Sequence, residues 1–183
     1  KVGDRPDCKK IEVVNHETQP PARYTEASLV KTLESEAVGR PSTYASIIST
    51  IVDRGYAQIR QKALIPTFTA FAVTSLLENN FQELVDTKFT SKMEQSLDDI
   101  ASGEEDWLPY LRNFYQGEKG LQNQVKQREV EIDAQSAKII PLENLNATVK
   151  IGKFGAYIEK QEGEEVVKSS IPIDLTPADL EPQ

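Results

Sequence analysis

The residues best suited to chemistry lie in one short run, Gly39-Arg40-Pro41-Ser42-Thr43-Tyr44-Ala45. Pro41 and Ser42 read as the opening of a helix. A helix N-terminus presents unpaired backbone N–H groups and the positive end of a dipole, and so attracts a phosphate. Arg40, just ahead of it, adds a bidentate donor, and the Ser42 and Thr43 hydroxyls add hydrogen bonds. The same pattern also fits plain capping, with Ser42 closing the first turn and Pro41 preset for it. Arg54 stands fourteen residues on, about four helical turns and roughly 20 Å away. Two guanidinium groups at that separation suit two backbone phosphates a few nucleotides apart. Arg54 could instead serve its own helix C-terminus or pair with Asp53. Truncating Arg40 is expected to cost binding on the order of 1–3 kcal/mol, and truncating Arg54 a similar or smaller amount.

Lys31, Arg23, Arg60 and Lys62 would extend a basic track, although each also reads as an ordinary solvated charge. His16 is the only histidine and Cys8 the only cysteine, which excludes an internal disulfide and a multi-cysteine zinc site. The acidic run Gly103-Glu104-Glu105-Asp106 reads as the start of a helix and not as a metal site. Phe154 and Tyr157 could stack on bases or fill a small β core, and the second is the expectation. No Ser/His/Asp set, nucleotide phosphate loop or clustered acidic metal site is present. Residue types alone therefore point to a binding module with no catalytic group, metal or cofactor of its own.

The elements that must position these residues follow from periodicity. Lys9–Asn15 reads as a strand, ending at the stiff Gln19-Pro20-Pro21 connector. Thr25 caps a first helix carrying Leu29, Val30, Leu33 and Ala37, which stops at Gly39. In the second, opened by Pro41 and Ser42, Tyr44, Ile47, Ile48, Ile51 and Val52 form a clean apolar stripe, and Gly55 ends it. Tyr56–Ile65 then reads as a hairpin around Arg60-Gln61-Lys62, closed by Pro66. Helix, turn, helix and hairpin together predict a winged helix. Further helices are expected over Thr69–Asn79, with Val73, Leu76 and Leu77 inward, and from a cap at Thr90 or Ser91, burying Phe89, Met93, Leu97 and Ile100. Trp107, Tyr110, Leu111 and Phe114 mark another. Gln116 to Ala134 reads as a solvated helix or linker. Ala137–Leu142, Thr148–Glu159 and Val166–Ile171 alternate as a β-meander of roughly 45 residues, near the lower limit for independent folding, so it should lean on a neighbour.

The expected fold class is α+β: a mainly helical winged-helix unit followed by a small β-rich unit. The expected division is 1–16 as a strand, which the resemblance given below implies comes from a neighbouring domain, 17–115 as the winged helix, 116–136 as a charged helix or linker, and 137–183 as the β unit. The net charge of −8 is unevenly spread. Residues 1–66 carry ten Lys/Arg against eight Asp/Glu, and residues 67–183 carry eleven against twenty-one. Exposed charges are screened beyond roughly 8 Å at physiological salt, so the acidic half does not forbid an anion site in the first half. No stretch reads as a membrane span or signal peptide, so a cytoplasmic location with no membrane partner is expected.

Several long runs carry a resemblance: Gln19-Pro20-Pro21-Ala22-Arg23-Tyr24-Thr25-Glu26-Ala27-Ser28-Leu29-Val30-Lys31, the stretch from Gly39 to Ile51 leading into Asp53-Arg54-Gly55-Tyr56, Phe71-Ala72-Val73-Thr74 and Phe89-Thr90-Ser91-Lys92-Met93-Glu94. Over about residues 16–115 the chain resembles bacterial type IA DNA topoisomerases. The resemblance implies a winged-helix domain beside a catalytic toprim domain, with single-stranded DNA in a groove lined by Arg40, Ser42, Thr43 and Arg54. Lys31 is added to these as a DNA-binding candidate from its place on the basic track. Ile151-Gly152-Lys153-Phe154-Gly155-Ala156-Tyr157-Ile158 resembles the family's C-terminal repeat, and Asp174-Leu175-Thr176-Pro177-Ala178-Asp179-Leu180 is most like cyanobacterial members.

The resemblance also implies what is missing. The family's nucleophilic tyrosine sits in an Arg-Thr-Asp-Ser setting, and its toprim acidic residues hold magnesium; neither occurs here. The parent would relax negative supercoils through a transient 5′-phosphotyrosine bond without ATP, while this segment holds DNA and partners the parent's other domains. Two other classes stay open: a free-standing winged-helix regulator reading duplex DNA, and a protein-interaction module using the acidic helices. For the regulator, the second helix offers mainly Ser46, Ser49 and Thr50 to bases.

Overall fold

A reciprocal cap starts the first helix. Thr25 Oγ1 accepts from the Ser28 N–H at 3.2 Å, and the Thr25 N–H donates back to Ser28 Oγ at 2.8 Å. The helix that follows is α1 (Glu26–Ser35). Ala37 lies past its end at φ 53°, not on its apolar stripe. The computed structural model describes residues 3, 7, 9–10, 12–14, 16–142 and 145–180.

Gly39 makes the turn into the second helix. Its φ is +80°, and a Cβ there would meet Ile47 Cδ1 at 3.0 Å and Thr43 Oγ1 at 3.1 Å, so both backbone and packing require glycine. Helix α2 spans Tyr44–Asp53, beginning later than Pro41. The cause is local: the Thr43 N–H donates to the Arg40 carbonyl at 2.8 Å, closing residues 40–43 into a separate turn. Ile48 is buried, Tyr44, Ile47, Ile51 and Val52 are half-buried, and Arg54 is the C-cap before Gly55 at φ +69°.

Strands β1 (Ala57–Arg60) and β2 (Ala63–Pro66) form an antiparallel hairpin. Its two-residue turn, Gln61-Lys62, has φ of 49° and 69°, the positive pair that matches the strands' twist. The Leu64 N–H donates to the Tyr24 carbonyl at 2.7 Å, which places the residues before α1 alongside β2. Thr67 then links two helices, because its hydroxyl caps α3 (Phe68–Asn80) by accepting from the Ala70 N–H and also donates to the Gly55 carbonyl at 2.6 Å.

A short α4 (Gln82–Val85) leads into α5 (Thr87–Ser102), then α6 (Trp107–Gln116) and α7 (Leu121–Glu131). The cap of α5 is Asp86, whose carboxylate accepts from the Lys88 N–H, and not Thr90 or Ser91, which lie within the helix. Stacking of Phe89 and Tyr110 on Phe114, with centroids 6.3 and 6.4 Å apart, joins α5 to α6. Leu97, Trp107 and Leu111 are exposed despite their place in the stripes. A stripe tells which face is apolar, not whether another element covers it.

The remaining strands are β3 (Ile139–Ile140), β4 (Thr148–Gly152), β5 (Gly155–Glu162) and β6 (Glu165–Ser170), an antiparallel meander in sequence order. Thr148–Glu159 is thus two strands joined by a turn at Lys153-Phe154, bracketed by Gly152 and Gly155. Ile140 and Val149 share one core with Phe68 and Ala72 of α3, so the sheet leans on that helix. Helix α8 (Pro177–Leu180) closes the described chain. The fold is therefore mixed helix and sheet.

The strand expected over Lys9–Asn15 includes Ile11 and Asn15, which lie outside the described residues. Lys9, Lys10 and Glu12 to Val14 carry no strand pairing, and Val13 and Val14 are exposed. A strand persists only beside another, and no described strand pairs with this segment.

Candidate nucleic-acid interface

Arg40 sits in the turn ahead of α2, not on the helix, and its guanidinium is held from both sides. Nη1 donates to the Gly39 carbonyl at 2.9 Å and lies 3.6 Å from a Glu94 carboxylate oxygen. Nη2 donates to the Glu94 carbonyl at 3.2 Å and to Asp98 Oδ2 at 2.6 Å. Glu94 and Asp98 stand one turn apart on α5 and present both carboxylates to the same arginine. The Asp98 hydrogen bond, aided by both negative charges, raises the Arg40 pKa above its ordinary value. Thr43 is likewise engaged: its hydroxyl accepts from the Arg40 N–H at 2.9 Å and donates to the Arg40 carbonyl at 3.0 Å. Ser42 is exposed, makes no side-chain hydrogen bond to a described residue, and does not cap α2.

Arg54, at the other end of α2, is exposed and makes no side-chain hydrogen bond or ion pair with a described residue; Asp53 does not pair with it. It lines a groove of about 530 Å³ between the α2 end, the β1–β2 hairpin, the start of α3 and the β4–β5 turn. Ile151, Phe154 and Ile173 also line this groove. Phe154 is 97% exposed, with Lys153 Nζ 5.6 Å from its ring centre. It is therefore not a core residue: the turn at Lys153-Phe154 projects it outward, while Tyr157, within β5, is half-buried.

The groove's rim is tied to the end of the described chain. Arg60 Nη1 contacts both Asp179 carboxylate oxygens at 3.1 and 2.9 Å, and Nη2 donates to the Asp174 carbonyl. Gln58 Nε2 donates to the Ile173 carbonyl at 3.3 Å. Asp179 Oδ2 also accepts from the Thr176 hydroxyl and N–H, each at 2.7 Å. These two hydrogen bonds, with Arg60, lower the Asp179 pKa to about 2.

The five expected DNA-binding residues are thus not gathered in one cavity. Arg54 faces the groove. Arg40, Ser42 and Thr43 lie at the opposite end of α2, and Lys31 on α1 is exposed and unpaired among the described residues, as are Arg23 and Lys62. Of the basic track, Arg60 is engaged by Asp179. Residue types had not singled out Glu94, Asp98 or Asp179; the four-residue spacing of Glu94 and Asp98 was the available signal. Among the described residues no three of His, Cys, Asp and Glu come together to hold a metal. The paired carboxylates of α5 face a guanidinium, so the donors present do not fit a magnesium site. No helix among the described residues is long and apolar enough to cross a membrane.

Residues 1–112 match the family model described as DNA topoisomerase. The chain belongs to that family. Similar relatives include DNA topoisomerase 1 of Synechocystis sp., 70% identical over the whole chain and 20% of that protein, and of Synechococcus elongatus, 63% identical over the whole chain and 21% of that protein. The chain thus spans about a fifth of the length of these relatives. A solved structure of full-length topoisomerase I from Thermotoga maritima aligns with a TM-score of 0.62 at 29% identity, covering 87% of this chain and 26% of that one.

Proposed function

We propose that this chain is the strand-holding part of a type IA DNA topoisomerase, in which α1, α2 and the β1–β2 hairpin act as a winged helix. The observation that carries this reading is Arg54, an uncommitted cation on a groove that is also lined by the exposed ring of Phe154. A guanidinium for phosphate and an aromatic face for a base are the two contacts single-stranded nucleic acid needs, and neither depends on base identity. The parent would relax negatively supercoiled DNA in the cytoplasm by transient cleavage through a 5′-phosphotyrosine, with magnesium in its toprim domain. This chain supplies binding and orientation, because holding the strand in line with a distant nucleophile is itself a large part of the barrier. The division we propose keeps 17–115 as the winged-helix unit, 116–136 as the charged connecting segment that contains α7, and 137–183 as the β unit. The core shared by α3 and the sheet would fix those two units against each other.

The regulator reading finds no support on α2. Ser46 Oγ donates to the Thr43 carbonyl at 2.8 Å, and Ser49 Oγ and Thr50 Oγ1 donate to the Ser46 carbonyl at 3.1 and 2.6 Å. Hydroxyls turned into their own helix read no bases.

Fluorescence anisotropy with a labelled oligothymidylate, beside duplexes of varied sequence, tests the proposal. Two to four phosphate contacts predict weak binding with a log–log salt slope of about −1.5 to −3 for a single strand. Salt-insensitive binding, or strong preference for one duplex sequence, would overturn it. With magnesium and supercoiled plasmid, the chain alone should give no relaxation.

A further inference from the structure

We propose that Asp98, backed by Glu94, is an internal counter-ion standing in the place of a DNA phosphate at Arg40, so that a strand engages Arg40 only by displacing it. The inference rests on the strand-holding reading and adds to it a competition built into the site.

The geometry separates what fixes the guanidinium from what blocks it. The Gly39 and Glu94 carbonyls are neutral acceptors that hold one N–H of each terminal nitrogen. Nη2 also donates to Asp98 Oδ2 at 2.6 Å, and a Glu94 carboxylate oxygen lies 3.6 Å from Nη1, close enough for charge but not for a hydrogen bond. A phosphate asking for a bidentate contact finds Asp98 on one of the N–H groups it needs and the Glu94 charge beside the other nitrogen. It also meets a net negative site, one guanidinium against two carboxylates. Asp98 is the displaceable partner: its side chain is 58% exposed against 21% for Glu94, and it is held by a single hydrogen bond. Exposed pairs are weak because water competes for both ions, so exchanging a carboxylate for a phosphate carries little penalty. Once Asp98 swings out, the two carbonyls keep the guanidinium in position.

Oligothymidylate affinity and its salt slope, measured by anisotropy on the 183-residue chain, test this with Asp98→Asn, Arg40→Ala, the double variant and Arg54→Ala, each checked by thermal unfolding. Asp98→Asn should tighten binding about two- to fivefold, the range an exposed ion pair spans. It should also steepen the salt slope by about 0.7, one added phosphate contact. In the Arg40→Ala background both gains should vanish. If Asp98→Asn leaves affinity and slope unchanged, or weakens binding, while Arg54→Ala still costs affinity, the counter-ion is structural and only this inference falls. If the unmutated chain does not bind and Arg54→Ala changes nothing, the strand-holding reading falls with it.

Discussion

The two ends of α2 carry the same residue type in opposite states. At the N-terminal end Arg40 is clasped by Gly39, Glu94 and Asp98; at the C-terminal end Arg54 stands open on a groove. The sequence ranks them the other way. Arg40 sits before a helix N-terminus, where an anion is favoured, and Arg54 at a helix C-terminus, where an arginine can simply serve the dipole. What reverses the order is α5, which brings two carboxylates to one arginine and none to the other. Helix ends set where an anion is welcome, but a neighbouring element decides whether the place is already taken.

The largest expected effect follows from that difference. Arg54→Ala should weaken oligothymidylate binding by about 1–3 kcal/mol, as for an uncompensated charge-assisted contact, and leave the melting temperature nearly unchanged. A loss smaller than that of Arg40→Ala, in the same anisotropy titration, would break the comparison. Gly39→Ala comes next, acting on stability. Alanine at φ +80°, with Ile47 Cδ1 3.0 Å from its Cβ, should cost about 1–2 kcal/mol by chemical denaturation. Phe154→Ala should cost about 1 kcal/mol of binding, the low end for one stacked base, without altering unfolding. Were Phe154→Ala to lower the melting temperature while affinity held, the ring would be packing and not stacking. Arg40→Ala should cost less than about 1 kcal/mol of binding, since only the fraction of molecules with Asp98 displaced uses it.

How much of this was legible in the chain depends on range. The α2 stripe of Tyr44, Ile47, Ile48, Ile51 and Val52, its stop at Gly55 and the Thr25 cap are contacts within one or two turns, and the sequence carries them openly. The hairpin was legible too, although Gln61-Lys62 lacks the usual Asn-Gly pair and takes positive φ at both residues. The α5 start was misplaced because Asp86, Thr90 and Ser91 are all good caps and nothing local chooses among them. Arg40 and Asp98 are 58 residues apart, Arg60 and Asp179 119 apart, and no periodicity links them. The outward turn of Phe154 was hidden for another reason: Gly152 and Gly155 bracket two residues that fit a strand or a turn equally well.

The smallest expected effect lies at the Arg54 end, where the groove rim is pinned by Asp179. Its carboxylate accepts from Thr176 twice and pairs with Arg60, and its pKa falls to about 2 from an ordinary value of 3.8. A carboxylate depressed in the folded state contributes stability above its ordinary pKa and loses it as pH falls through the folded one. The pin should therefore be fully present above about pH 5, weaken as pH falls below it and be gone near pH 1. Other carboxylates titrate over the same range, so acid unfolding of the unmutated chain alone says little. Asp179→Asn removes the ionisation but keeps an oxygen able to accept from the Thr176 N–H, so the difference in melting temperature between the two proteins isolates the charge. That difference should be constant from neutral pH down to about pH 5 and then shrink toward zero. No Arg40 contact involves Asp179, so the same profile should persist in an Arg40→Ala background. A difference that stays flat down to pH 2 would mean that hydrogen bonding alone holds the rim, and that the Arg54 end, unlike the Arg40 end, does not depend on a paired charge.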